Sequence, residues 1–268
     1  MTKEITAYLN YIVDDGQPSI RYVDWPEESH KSHIALYEKK MTTIHDGRAS
    51  KEEFSLNQHG FLLTNNPTKM NNFYDEKEIK DVYYPETANL IKTKSRGKQV
   101  YIFDHTVRTP LNDKHRNGWV REPVRYVHND YTELSAPQRV RDFFPNEADA
   151  LLKKRFAIIQ TWHSISSTIE SEPLALCDGR TIPTKGFIRN QRRYRGRTAE
   201  TYHISHHSSH RWYYFPKMEP AEVLVFKVFD TDKNVGVKFT AHTAFDDPSS
   251  TKDSLPRQSI EMRALVFF

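Results

Sequence analysis

The C-terminal part of the chain constrains the fold most. Residues 222–230 (EVLVFKVFD), 235–245 (VGVKFTAHTAF) and 257–268 (RQSIEMRALVFF) are rich in β-branched and aromatic residues and are separated by turn-forming stretches. Upstream, residues 100–108, 124–132, 155–162 and 174–177 also read as strands. Many strands with regular turns argue for an antiparallel sandwich or jelly roll. Helical spacing occurs at 76–94, divided at Pro85 into two short helices, and in mixed form at 136–155. Residues 44–61 read as strand, Gly-Arg turn, strand. The N-terminal part is expected to add helices packed outside the β core.

A chain of 268 residues suits one large domain. Hydrophobic residues make up only 37% of it, yet aromatics reach 12%, and each ring buries a large area, so a globular core is expected. The single cysteine, Cys177, excludes internal disulfides and thiolate metal clusters, and a reducing, cytoplasmic setting fits. There is no signal-peptide pattern at the N-terminus and no apolar run near the ~20 residues of a membrane helix. With 39 basic and 35 acidic residues, the balance does not by itself call for nucleic acid. Thirteen histidines are more informative, because imidazole is both a metal ligand and an acid–base group.

Three signals carry chemistry. The first is His128-Asn129-Asp130 on a strand-like run. Residues i and i+2 of a strand share a face, so an imidazole and a carboxylate stand side by side. They make up two members of a 2-His-1-carboxylate triad, which leaves open positions on iron(II). The second is His242, at the end of a later strand-like run, which can supply the third ligand. Third, Arg257, Ser259, Glu261 and Arg263 share one face of the last strand. A guanidinium fork takes a carboxylate bidentately, and two arginines on one face suit a dicarboxylic cosubstrate. Taken singly, each signal has an ordinary reading: a satisfied histidine, a turn residue, an edge strand. Their order along the chain favours a site.

At these residues the chain resembles a known family, the oxygenases typified by gibberellin desaturase and the cephamycin methoxylation oxygenase component. The matching pieces occur in order: Asp46, Arg48, Leu56, Gly60 and Phe61; YYPE at 83–86; FDHTVR at 103–108; the V-H-N-D-Y-T run ending at Thr132; PLALCDGR at 173–180; HRWYYFPKM at 210–218; HTAFDDP at 242–248; and R-x-S-I-E-x-R at 257–263. The resemblance implies a double-stranded β-helix (jelly roll, cupin-like), mainly β with flanking helices. It would form a single oxygenase domain over 1–268, with a 1–98 extension packed on a 99–268 core. It also implies an Fe(II)/2-oxoglutarate-dependent dioxygenase that uses O2 on a small-molecule substrate of secondary metabolism. Hydroxylation, desaturation and ring formation are the outcomes such enzymes give. Iron would be held by His128, Asp130 and His242, and 2-oxoglutarate by Arg257, Ser259 and Arg263.

One departure concerns residues 160–164. Where the family tends to read N-x-W-R-P, this chain has Gln160, Thr161, Trp162, His163 and Ser164. Trp162 and His163 are candidates for the substrate pocket, as are His210 and Arg211, with core packing as the competing reading. His203, His206 and His207 read as loop or surface. The basic run from Lys185 to Arg197 reads as a solvated loop, or as a lid over an anionic substrate. The alternatives to a small-molecule oxygenase are a nucleic-acid or protein demethylase of the same superfamily, a non-catalytic ligand-binding jelly roll, and a zinc hydrolase.

Overall fold

Two facing sheets carry most of the chain in the computed structural model, which describes residues 4–111 and 118–268. The strands are β1 (Glu4–Ile12), β2 (Ser19–Tyr22), β3 (Tyr37–Asp46), β4 (Phe61–Asn65), β5 (Gln99–Arg108), β6 (Val120–Arg121), β7 (His128–Asn129), β8 (Phe156–Ser164), β9 (Leu174–Cys177), β10 (Phe187–Arg193), β11 (Thr198–Ile204), β12 (Trp212–Tyr214), β13 (Glu222–Asp230), β14 (His242–Ala244) and β15 (Ser259–Phe267). One sheet has the order β1-β3-β12-β9-β14-β7-β11-β10-β2, and the other β4-β13-β8-β15-β5-β6. This is the jelly-roll architecture that the strand pattern predicts.

Between the sheets lies an aromatic core that includes Phe61, Phe156, Trp162, Tyr213, Phe226 and Phe229. Its bulk explains how a chain with few aliphatics buries enough apolar area. A second layer packs the outer face of the smaller sheet (Ile159, Val223, Met262) against Tyr83, Leu90 and Ile91 of the helical segment. Strands β8 and β15 are buried at every position because both their faces are covered. A third core holds Leu9, Tyr11, Ile44, Val127 and Trp212. It forms where the edge strand β1 folds back on its own sheet: Val127 N–H donates to Asn10 O, and Ile12 bridges Ser205.

Four expectations are redrawn. Residues 1–98 are not a layer packed outside a core beginning at 99, because β1, β2, β3 and β4 join the two sheets. Residues 51–60 form turns and not a second strand: His59 binds both Glu52 and the Ser55 amide, tying the segment into a loop. The two short helices divided at Pro85 are one continuous helical stretch, α1 (Glu76–Glu78), a π-helical turn (Ile79–Tyr83) and α2 (Tyr84–Ser95). Pro85 follows directly on the π-helical turn, in the first turn of α2, where the wider turn accommodates its missing N–H. The basic run at 185–197 is largely strand β10, not a loop. The mixed helical segment resolves into α3 (Ser135–Phe143) and α4 (Ala148–Leu152). No helix among the described residues is long and apolar enough to cross a membrane.

Candidate iron and 2-oxoglutarate site

Strands β7 and β14 pair at a single position, His128 opposite His242. Facing residues of an antiparallel pair project to the same side, and the two imidazole centroids are 4.3 Å apart. His128 Nδ1 lies 2.7 Å from Tyr126 O, and His242 Nδ1 lies 3.3 Å from Thr240 O. Each Nδ1–H therefore donates to a backbone carbonyl, which fixes the tautomer and leaves both Nε2 lone pairs free. Asp130 follows directly after the short β7, and its Oδ1 is 3.4 Å from His128 Nε2. One ligand atom from each of the three lies within 4.8 Å of the others.

The electrostatics suit a cation. Burial, with His128 beside it, pushes the His242 imidazole down to about 4, so it is neutral at pH 7. Burial alone would raise the Asp130 carboxyl. The Arg263 guanidinium and His128 overcome that and hold it well below the usual carboxylate range. Asp130 Oδ2 accepts from Arg263 Nε at 3.0 Å and from Gln160 Nε2 at 2.6 Å, which leaves Oδ1 for a metal. Two imidazoles and one carboxylate are a fitting donor set for iron(II).

Beside the histidines, a narrow cavity is lined by Trp162, Leu174, Phe226, Arg257 and Glu261. Arg257 is buried. Its Nε donates to Ser259 Oγ at 3.0 Å and its Nη1 to Glu172 O at 2.8 Å, and the guanidinium lies 5.1 Å from the Trp162 ring centroid. Burial lowers this guanidinium to about 10, the mark of a cation lacking a full counter-charge. The Trp162 indole N–H is also buried without an acceptor. An unsatisfied donor and a desolvated cation on one cavity wall fit a carboxylate.

The chain is similar to known enzymes along nearly its whole length. Residues 7–267 match a family model described as an oxidoreductase/YMDC permease-like domain. The hydroxylase/desaturase efuI of Hormonema carpetanum is 30% identical over 98% of this chain and 95% of its own. The alpha-ketoglutarate-dependent dioxygenase tstK of Talaromyces stipitatus is 31% identical over 84% of each chain. Among solved structures, the iron and alpha-ketoglutarate-dependent endoperoxidase NvfI superposes with a TM-score of 0.87 over 98% of both chains at 24% identity, which shows the shared fold. The chain belongs to the Fe(II)/2-oxoglutarate-dependent dioxygenases of fungal secondary metabolism.

In this dioxygenase, which uses Fe(II), 2-oxoglutarate and O2, several expected site residues lie elsewhere. Arg263 is not in the cavity with Arg257. Six residues of extended strand span about 20 Å, too far for both to hold one small dicarboxylate. Its guanidinium is instead occupied by Asp130, Glu261 and Asp104. His163 projects from the opposite face of β8 to Trp162, as alternation requires, and stacks 5.6 Å from Tyr83. His210 stacks on Tyr11 at 5.7 Å, and Arg211 reaches Glu52 at 2.9 Å, so neither lines the cavity. His203 is not a surface residue. It stands opposite His128 on β11, and its ring is held by Tyr37 Oη at 2.9 Å.

Gln160 was legible only as a departure from the family pattern, and its contact with Asp130 is what the substitution places there. Half-buried Arg108 and buried Glu261, an ion pair at 3.5 Å, also line the cavity. Glu261 was readable by alternation, whereas Arg108 lay hidden in FDHTVR. A cleft of about 970 Å³ is lined by Arg189, Gln191 and Glu200, on the opposite face of β10 and β11 to His128 and His203.

Proposed function

We propose that His128, Asp130 and His242 hold the iron of this dioxygenase, and that Arg257 with Ser259 anchors 2-oxoglutarate. The observation that carries this reading is the in-register pair His128–His242, with each Nδ1 committed to a backbone carbonyl. Bound there, iron with 2-oxoglutarate and O2 would supply the oxidising power to remove hydrogen from an unactivated C–H bond, with succinate and CO2 as coproducts. The chain's own residues supply position and dryness. Arg263 and Gln160 orient Asp130 by occupying Oδ2. Arg257 neutralises the distal carboxylate, and Trp162, Leu174 and Phe226 exclude water from the cavity. The finer kinship with the gibberellin-desaturase type rests on the ordered motifs, above all HTAFDDP and R-x-S-I-E-x-R.

Anaerobic titration of the apo-protein with Fe(II) and 2-oxoglutarate tests the reading. A weak visible charge-transfer band is expected in wild type and absent in His242→Ala. A well-folded wild type without the band would overturn the assignment.

A further inference from the structure

The basic run at 185–197 has no part in the iron site, and strand alternation sorts its charges. On β10, Arg189 and Arg193 share one face with Gln191, and both are partnered: Arg189 by Glu200, Arg193 by Gln191 Oε1 and the Tyr22 hydroxyl. Arg192 projects from the other face, with Ile188 and Asn190. That is the face of the iron ligands, because Ile188 stands opposite His203 and His203 opposite His128. The parallel neighbour β2 sets Arg21 in register with Arg192. Both arginines are exposed, and neither has an ion-pair or hydrogen-bond partner among the described residues. Like charges on facing sheet positions destabilise each other, and an anion between two guanidiniums reverses the sign.

Between these arginines and the proposed iron site lie small side chains flanked by aromatic rings. Ala199 lies opposite Arg192 and Thr201 opposite Asn190, so the floor is low until His203. Tyr37, hydrogen-bonded to His203, and Tyr126, 4.5 Å away ring to ring, form an aromatic wall. The Tyr126 carbonyl in turn holds His128. The Arg192 charge reaches both Tyr37 and His203. Arg192 is two strands across from His128 and four residues along β10 from Ile188, roughly 17 Å between Cα atoms at strand spacing. The span from anion to metal is therefore on the order of 15 Å.

We infer that Arg21 and Arg192 form an anion subsite for the substrate, which is an elongated, ring-containing organic acid. Its carboxylate sits between the two guanidiniums, and its rings lie over Ala199 and Thr201 against Tyr37 and Tyr126. This rests on the assignment of the iron site made above. The test uses the full chain loaded with Fe(II) and 2-oxoglutarate under anaerobic conditions. It is titrated with naphthalene-2-carboxylate, anthracene-2-carboxylate and pyrene-1-carboxylate, and with the methyl ester of each, by intrinsic fluorescence. At least one acid is expected to bind about tenfold tighter than its ester, the gain of a charge-assisted contact. The preference should vanish in Arg21→Gln/Arg192→Gln and return in Arg21→Lys/Arg192→Lys. Arg192→Gln alone gives the same reading if the double variant does not fold. Acids that bind no better than esters, or not at all, overturn the inference, as does a preference that survives the glutamine substitutions. The charge-transfer band, read in the same samples, separates the two assignments. Its absence from wild type sinks the iron site, and its presence without acid preference sinks only the anion subsite.

Discussion

Arg263 and Asp130 are joined by a 3.0 Å contact between Nε and Oδ2, with both side chains largely buried. The contact decides which carboxylate oxygen faces His128. Gln160 shares the same oxygen, so the carboxylate is held from two directions. Removing a partner that orients a metal ligand typically weakens metal binding by about 10- to 100-fold. Arg263→Leu should weaken Fe(II) binding in that range and also lower the melting temperature, because Asp104, Asp130 and Glu261 lose their shared cation. Gln160→Leu should weaken iron several-fold with little loss of fold, since it removes a neutral donor. Anaerobic Fe(II) titration and thermal unfolding of both variants separate the two effects.

Arg257 stands apart from this network. Ser259 Oγ and Glu172 O leave its charge unneutralised. Arg257→Ala should raise the Kd for 2-oxoglutarate by about 100-fold or more, while Fe(II) binding changes little. Trp162→Phe removes the unpaired indole N–H and part of the ring under Arg257, and should cost a few-fold. Both are checked by titrating the charge-transfer band with 2-oxoglutarate at fixed iron.

How much of this was legible follows from what alternation and order can carry. The long strands β5, β8, β13 and β15 stand close to where residue patterning put them, because their faces are set by period two. The His128, Asp130 and His242 set was visible as spacing and order. Its closeness depends on the β7–β14 pairing, a single residue pair that no local pattern announces. The two-arginine cosubstrate anchor failed because sharing a face does not mean sharing a ligand. His163 was misplaced because alternation, applied to Trp162, already excluded its neighbour. His203 was lost in a tract of histidines whose strand was not recognised.

The apo-protein should lose stability on mild acidification. Burial pushes His242 to about 4, His210 to about 4 and His203 to about 3, all below the ordinary histidine value. A depressed histidine contributes stability that is complete above the unfolded pKa near 6.5. That stability is lost as pH falls through the window down to about 3 to 4, because the unfolded chain takes up the proton and the fold does not. Each contributes on the order of 1 kcal/mol per pH unit within its window. Urea unfolding at pH 7.5 and pH 5 should show a clear drop, and His203→Gln should shrink it. Equal stability at the two values would rule out neutral burial of these rings.

Gly60 links the loop at 51–60 to the proposed iron site. It has φ +92, and a Cβ there would lie 2.0 Å from Thr240 Oγ1. Its carbonyl also accepts from the Lys227 amide and from Thr240 Oγ1 at 3.1 Å. Thr240 in turn holds His242 through its own carbonyl. Gly60→Ala therefore strains the backbone and displaces the residue that orients His242. The expected result is destabilisation of about 1–3 kcal/mol together with weaker iron binding. The control is Gly16→Ala, at φ +80 with nothing within 4 Å of the added Cβ. It carries the backbone strain alone, so it should lower the melting temperature slightly and leave the iron titration unchanged. If Gly60→Ala bound iron as tightly as wild type, the route from Gly60 through Thr240 to His242 would be excluded.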